Sequence, residues 1–430
     1  MAEAFPKRLA LLTNQTSQLQ ALLGAILPAN AFYSRKFELA GTRRRIANLA
    51  QFQDFPFTLK HELAQDQRDN PPYGTNLTYP VERYVRCHQT SGTSGAPLRW
   101  LDTTESWNWM IGNWETVLRA AGVTRSDRVL CAFSFGPFLG FWLAYEAALR
   151  LGCLCVPGGG LSSVARLRLI LDQGITVLCC TPTYGIHLAE VAAHEKIDLS
   201  ASPVRLMIVA GEPGGSIPAT RQRLSELWPG ARVFDHHGMT ETGPVSFECP
   251  ARPGVLHVIE AGYIPEIVDP ATGVLAPAGQ VGELVLTNLG RTGSPLLRYR
   301  TGDLVRPSLE SVCECGRSDL ALEGGILGRT DDMVIVRGVN IYPNAVEEII
   351  RGTPGIVEYA VRVDESKALG EMAVQIEPGP ECADRDGVAR ELQQKFEAIW
   401  SLRVPVTAVP PGALPRYELK AKRWTKVKSP

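Results

Sequence analysis

Arg128-Val129-Leu130-Cys131-Ala132-Phe133 reads as a strand, and it opens the alternation on which the fold turns. Phe141 to Arg150 follows as a helix, Gly152 to Pro157 as a strand and Ser163 to Gln173 as a helix. Thr176 to Cys180 is then a strand, Gly185 to Lys196 a helix and Leu206 to Ala210 a strand. Strands and helices alternating at these lengths predict a parallel sheet with right-handed crossovers. Glycine-containing loops follow the strand ends: Ser134-Phe135-Gly136-Pro137, Gly158-Gly159-Gly160 and Gly211-Glu212-Pro213-Gly214-Gly215. Ligands in such sheets gather at those ends.

Upstream, Leu9 to Phe37 reads as helical, and Asp54-Phe55-Pro56-Phe57-Thr58-Leu59-Lys60 as a turn leading into a helix. Ser106 to Ala121 is a helix whose apolar face carries Trp107, Met110, Ile111, Trp114, Val117 and Leu118; Gly122 stops it. Downstream of Ala251 the chain becomes strand-rich, and Glu283-Leu284-Val285-Leu286-Thr287 alternates cleanly. Gly328 marks a boundary. Beyond it come a strand at Met333 to Arg337, a helix at Asn344 to Arg351, strands at Ile356 to Val363 and Ala373 to Glu377, and a helix at Arg385 to Ile399. Asn344 with Glu347 has the pattern of a capping box. The fold class is α/β: a large N-terminal domain, residues 1–327, of parallel-rich sheets with helices plus a strand-rich subdomain, and a small α+β C-terminal domain, residues 328–430.

A chain of 430 residues suits two or three domains. Net charge is −1, so no global field favours nucleic acid or an acidic membrane, and any anion site must be local. Glu3 and Pro6 stand where a signal peptide would have its apolar run, and Leu19 to Leu27 is too short to cross a bilayer. A cytoplasmic location is expected, and the ten cysteines are expected to be thiols or metal ligands rather than disulfides.

Thr90-Ser91-Gly92-Thr93-Ser94-Gly95 has the composition of a flexible linker, but also of a loop that wraps phosphates with backbone N–H groups and hydroxyls. It is not a Walker loop, because no Gly-Lys-Ser/Thr follows. Four later segments accompany it: Asp235-His236-His237-Gly238-Met239-Thr240-Glu241, Tyr299-Arg300-Thr301-Gly302-Asp303, Gly328-Arg329-Thr330-Asp331-Asp332 with Arg337-Gly338, and Lys420 near the end. Taken singly each is a solvated turn or a cationic tail. Together, and with Arg337-Gly338-Val339-Asn340-Ile341-Tyr342-Pro343, they resemble the adenylate-forming superfamily over nearly the whole chain, in its phenylacetate–CoA ligase-like branch.

The resemblance implies an enzyme that activates a carboxylic acid with ATP, and a small C-terminal domain that rotates during catalysis. It implies that the loop from Thr90 to Gly95 and the segment Gly211, Glu212 and Pro213 bind the nucleotide. It places Asp235 on the adenine amino group, with His236, His237, Gly238 and Met239 beside the nucleotide. Thr240 falls on the α-phosphate, Glu241 on Mg²⁺, and Asp303 with Arg329 on the ribose. Mg²⁺ prefers oxygen ligands that bridge phosphate and carboxylate, which suits Glu241. Asp331 matches the hinge, Arg337 and Gly338 the edge past which coenzyme A reaches the site, and Lys420 the adenylation lysine, with Lys422 as the other candidate.

Phe133, Phe135 and Phe138 with Ala210 and Gly211 make an apolar slot for an aromatic acid of the benzoate, anthranilate or phenylacetate type, with His236 or Met239 on the far wall. Cys249, His257, Cys313 and Cys315 supply three thiolates and an imidazole, a closed set for a structural Zn²⁺. Coenzyme A is the expected acceptor. An acyl carrier protein, transfer of AMP to another acceptor, and a non-catalytic adenylate sensor are the other readings, and a homodimer is common in the branch.

Overall fold

The computed structural model describes residues 7–42, 46–90, 97–337, 339–364, 370–417 and 421–427. The alternation centred on Arg128 folds as a five-stranded sheet, all parallel, in the spatial order Leu154–Pro157, Arg128–Cys131, Val177–Cys180, Leu206–Val209, Arg232–Asp235. Its central strands carry Val129, Leu130, Leu178, Cys179, Met207 and Ile208, buried from both sides by crossover helices, which is why they read as continuous apolar runs. The chain winds outward to Leu154–Pro157, then reverses to Val177–Cys180. The switch point therefore lies beside Phe133 and Thr181, where an open α/β sheet leaves a crevice. The last strand and the helix before it, Pro218–Leu227, escaped the sequence reading because that helix begins with proline and is mostly polar.

Two other expectations were wrong in instructive ways. The helix expected over Leu9 to Phe37 is two, Arg8–Ile26 and Ala31–Leu39. Pro28 cannot continue the first, and Asn30 caps the second by accepting from Tyr33 N at 3.1 Å. The helix Pro343–Arg351 starts on proline, and Asn344 caps nothing; its side chain donates to Ile326 O at 3.0 Å. Strand Gly282–Asn288 is buried on both faces. Two of its polar residues find partners inside the protein, Glu283 in Arg300 and Thr287 in Arg298 N.

That strand belongs to an antiparallel sheet in the order Tyr263–Val268, Gly282–Asn288, Tyr299–Val305, Gly328–Arg329. The N-terminal helices cover part of it with Leu19, Leu22, Ile26, Tyr33 and Phe37 against Leu296, Leu297 and Tyr299. Thr58 is stitched to the start of strand Tyr299–Val305, donating N–H to Arg298 O and accepting from Arg300 N. The following helix, Lys60–Asp69, is thereby fixed, with the Glu62 carboxylate accepting from Leu59 N at 2.8 Å.

From Val334 to Trp424 the chain builds a further hydrophobic cluster of its own. A four-stranded sheet, ordered Val406–Ala408, Glu371–Pro378, Ile356–Asp364, Trp424–Val427, packs Val361, Val363, Val374 and Ile376 against Val346 and Ile350 of one helix and Leu392 and Phe396 of Arg385–Trp400. No helix among the described residues is long and apolar enough to cross a membrane.

Candidate active site

Asp235 ends the last parallel strand, beside Val209 of its neighbour. Its carboxylate is buried and accepts from Ser216 Oγ at 2.5 Å and from His236 N at 3.0 Å. Burial raises its pKa. A Cβ on Gly215 would lie 2.3 Å from Asp235 Oδ1, so glycine there lets the loop close over the carboxylate.

The next two residues point in different directions. His236 is buried, donates Nδ1–H to Ser246 O at 2.6 Å and lies against Trp114 with ring centroids 4.2 Å apart. Burial lowers its pKa to about 3, so the ring is neutral with its lone pair on Nε2. His237 donates Nε2–H to Asp303 Oδ2 at 3.1 Å, and its Nδ1 is buried with no partner among the described residues. An orphaned ring nitrogen beside a carboxylate suits a polar ligand in contact with this face.

Asp303 is held from a second side. It lies opposite Arg329 in the antiparallel sheet, and Arg329 Nη1 donates to it at 2.9 Å. Burial alone would raise the Asp303 carboxyl, but the His237 hydrogen bond and charge and the Arg329 guanidinium hold it below the ordinary carboxylate range. Arg329 Nε also donates to Asp331 Oδ1 at 2.9 Å, so one guanidinium ties the expected ribose carboxylate to the expected hinge residue.

Thr240 and Glu241 sit on a loop fixed from beneath. Arg291, fully buried, pairs with the equally buried Asp102 through Nε and Nη2 at 2.6 and 2.7 Å. Its Nη1 donates to Thr240 O at 2.8 Å and Glu241 O at 2.7 Å. The Glu241 carboxylate has Lys60 Nζ 3.3 Å away. One acidic side chain with a mobile counter-charge, able to turn to a phosphate-bridged cation, fits the donor chemistry of Mg²⁺.

Glu212 ties the C-terminal tail to the parallel-sheet domain. Its carboxylate accepts from Thr183 N at 2.8 Å, at the start of helix Pro182–His194, and from Ala421 N at 2.9 Å. Arg423 anchors the same tail on Glu358, with Nε to Oε1 at 2.6 Å. Glu212 therefore holds the residue next to Lys420 at the C-terminal edge of the parallel sheet. Burial raises its pKa.

The aromatic residues divide. Phe133 and Phe135 have ring centroids 4.8 Å apart and share a cluster with Ala210, Trp114 and Phe141. Gly211, at φ +93°, turns the chain beside it. Phe138 is at the surface, 36% exposed, and Met239 packs with the cluster of the N-terminal helices. Neither joins the other aromatic residues. Thr90 is buried and exchanges hydrogen bonds with Leu98, N–H to O at 2.9 Å and Oγ1 from N–H at 3.0 Å, which pins the two ends of the expected phosphate loop together. Ser91, Gly92, Thr93, Ser94, Gly95, Gly338 and Lys420 lie outside the described residues. Arg337 is described, and it lines a cavity with Arg362, Glu371 and Arg403 of the C-terminal domain.

Cys249, His257, Cys313 and Cys315 bring their ligand atoms within 4.8 Å of one another. Cys249 Sγ is 3.6 Å from Cys313 Sγ, and Cys315 Sγ is 3.4 Å from His257 Nε2. His257 Nδ1 lies 3.2 Å from Asp319 O, an orientation that turns Nε2 toward the thiols and supplies the outer-shell partner a ligating histidine needs.

Lys60, Arg291 and Asp102 were missed as site residues. Lys60 ends the quoted Asp54 to Lys60 stretch, so a signal existed. Arg291 and Asp102 lie 189 positions apart, and nothing local joins them.

A family model described as AMP-binding enzyme matches residues 85–290, and one described as AMP-binding enzyme C-terminal domain matches residues 338–427. The phenylacetate-coenzyme A ligase of Aromatoleum evansii is 33% identical over 91% of this chain and 88% of its own length, and that of Escherichia coli K12 is 31% identical over 95% and 93%. A solved structure of 2-hydroxyisobutyryl-CoA ligase in the postadenylation state superposes with a TM-score of 0.93 at 26% identity, over 99% of this chain and 91% of that one. The same ligase in the thioesterification state gives 0.74, so the arrangement here is that of the former. With this fold and these relatives, the class is that of an AMP-forming acid–thiol ligase. The chain belongs to the AMP-binding enzyme family, in its phenylacetate–CoA ligase-like branch.

Proposed function

We propose that this chain joins an aromatic carboxylic acid to coenzyme A through an acyl-adenylate. The observation that carries the reading is the linkage Asp235-His236-His237 to Asp303 to Arg329, which joins two buried carboxylates through one short run of chain and one hydrogen bond. Asp235 receives the adenine amino group and Asp303 the ribose hydroxyls. The loop from Thr90 to Gly95 and Thr240 face the phosphates, and Phe133, Phe135 and Ala210 receive the ring of the acid. His236, neutral and beside Trp114, offers its Nε2 lone pair at that end of the site.

In the first half-reaction the substrate carboxylate attacks the α-phosphorus of ATP and pyrophosphate leaves. The nucleophile is already anionic, so no general base is needed; bringing two anions together is the difficulty. Lys420 and Lys60 supply positive charge, and the Glu241 carboxylate would hold Mg²⁺, which when bound neutralises phosphate charge. Residues 328–430 then turn as a unit about Asp331, Lys420 withdraws, and the Arg337-Gly338 edge arrives with the thiol. The thiol sulfur attacks the acyl carbon, its proton passes to solvent, and AMP leaves.

Acid-dependent exchange of pyrophosphate into ATP tests this over a panel of aryl, arylacetic and aliphatic acids, with AMP release measured with and without coenzyme A. Exchange with an aryl acid and AMP release that depends on coenzyme A are expected. Preference for an aliphatic acid would overturn the aromatic assignment, and exchange that coenzyme A leaves unaltered would point to a carrier protein or another acceptor.

Glu212→Gln is expected to slow adenylate formation about 10- to 100-fold, the value of one charge-assisted hydrogen bond. A glutamine offers one acceptor oxygen to two N–H donors, so the grip on Ala421 is lost. The thiol step, measured from preformed acyl-adenylate, should be unchanged. Equal loss in both half-reactions would mean a general structural role.

The cysteine–histidine cluster would hold one structural Zn²⁺ that ties down the chain beyond Glu241. One zinc per chain by elemental analysis is expected, with a lower Tm after chelation or in Cys315→Ser. Metal-free protein with a Tm unmoved by chelator would overturn it.

A further inference from the structure

The aromatic cluster beyond the parallel sheet is apolar over most of its surface. Phe133 stands against Phe135 and Phe141, with ring centroids 4.8 and 5.2 Å apart, and Trp114 lies 6.2 Å from Phe141. Trp142 meets Phe135 edge-on at 4.7 Å and spends its indole N–H on Gly136 O at 3.0 Å. His236 brings a different chemistry to this cluster. Its backbone N–H donates to Val209 O at 3.0 Å, which sets it beside Ala210, and its ring centroid is 4.2 Å from that of Trp114.

The partner of one ring nitrogen decides what the other can do. A carbonyl oxygen only accepts, so the bond to Ser246 O fixes a proton on Nδ1. The residue is 5% exposed, and burial keeps the ring neutral, because a second proton would place a charge among aromatic side chains. Nε2 therefore carries a lone pair. Among the described residues no hydrogen bond engages it, yet it is not sealed in as His237 Nδ1 is. The turn that follows leaves it open as well: a Cβ on Gly238 would come within 3.3 Å of Nε2, and glycine has none. An acceptor left unpaired in an aromatic setting is costly, and its donor has to come from what binds there.

We propose that His236 is a specificity-determining residue whose Nε2 selects acids carrying a hydroxyl or amino hydrogen-bond donor on the part of the molecule held in this cluster. The proposal rests on the chain activating a carboxylic acid, and it narrows the class of that acid. The donor bonds Nε2 while the rings around it exclude the water that would otherwise serve both groups. A methoxy or fluoro group at the same position brings bulk but no proton, and gains nothing. A site built to bond a substrate donor also rejects the analogue without one, because its own acceptor then stays unpaired beneath the bound acid.

The test is acid-dependent pyrophosphate exchange by the full chain, read as kcat/KM over matched acids. One set is benzoate with its hydroxy, amino, methoxy and fluoro derivatives at each ring position; the other is propionate with lactate. A hydroxy or amino acid should exceed its unsubstituted parent about 10- to 100-fold, the value of one buried acceptor satisfied rather than left unpaired. The methoxy and fluoro acids should stay within a few-fold of the parent. In His236→Phe the ratio of donor-bearing acid to parent should fall to within a few-fold of one, and His236→Gln, whose amide oxygen accepts, should restore part of it. A parent acid that matches its hydroxy and amino derivatives in wild type overturns the proposal without recourse to a variant. A preference that survives His236→Phe, or equal loss with both acids, overturns it too. Preference for lactate over propionate that His236→Phe abolishes would uphold the role of His236 and remove the ring from the substrate. No exchange with any acid would overturn the activation reading instead.

Discussion

Arg291→Met is expected to lower the unfolding free energy by about 3–5 kcal/mol, the usual result of removing one partner from a buried ion pair. Asp102 has no exposed surface, and without Arg291 its charge has neither a partner nor water. The methionine fills the volume but leaves Thr240 O and Glu241 O without their shared donor. Asp102→Leu combined with Arg291→Met should regain much of the loss, because no buried charge remains, yet the Thr240–Glu241 loop stays unsupported. Recovery of stability without recovery of adenylate formation would separate the two roles of this guanidinium. Chemical denaturation followed by intrinsic fluorescence, with pyrophosphate exchange on the same samples, measures both. A single variant within about 1 kcal/mol of wild type would show that the pair is replaceable.

Glu241→Gln is expected to reduce acid-dependent pyrophosphate exchange about 10²–10³-fold, the scale on which one preorganised charge-stabilising group acts in a transition state. The amide keeps the shape of the side chain and removes the charge that a hard divalent cation requires. Lys60, 3.3 Å from the carboxylate and half-exposed, would lose its counter-ion. With Lys60 half-exposed, solvent screens the pair to about 1 kcal/mol, so Tm should move little. Titrating Mg²⁺ in the exchange assay gives the decisive reading: the variant should need far more cation, or fail to saturate. Exchange within a few-fold of wild type at ordinary Mg²⁺ would remove Glu241 from the metal site. Lys60→Met should cost less, because the carboxylate it faces remains.

The parallel sheet was legible because its strands are buried on both faces and its helices on one; apolar runs and glycine loops then alternate in the sequence without tertiary information. The carboxylates Asp235, Glu241 and Asp303 were legible as residue types in short motifs. The four members of the cysteine–histidine cluster were legible from the Cys313-Glu314-Cys315-Gly316 turn and from Cys249 and His257 in a second turn-rich segment. Where the reading failed, the competing force was tertiary. Asn344 has capping chemistry but spends its side chain on Ile326 O.

What the sequence by itself determined is therefore the order of the elements and the chemical groups that reach the sheet edge, because both depend on local spacing and side-chain type. Which of those groups meet was decided only in three dimensions. His237 finds Asp303 across 66 positions, Arg291 finds Asp102 across 189, and Glu212 finds Ala421 across 209. Removing each partner from water costs free energy that only its mate can offset, and the low-dielectric setting in which the pair is strong exists only once the sheets, the N-terminal helices and the C-terminal tail have packed.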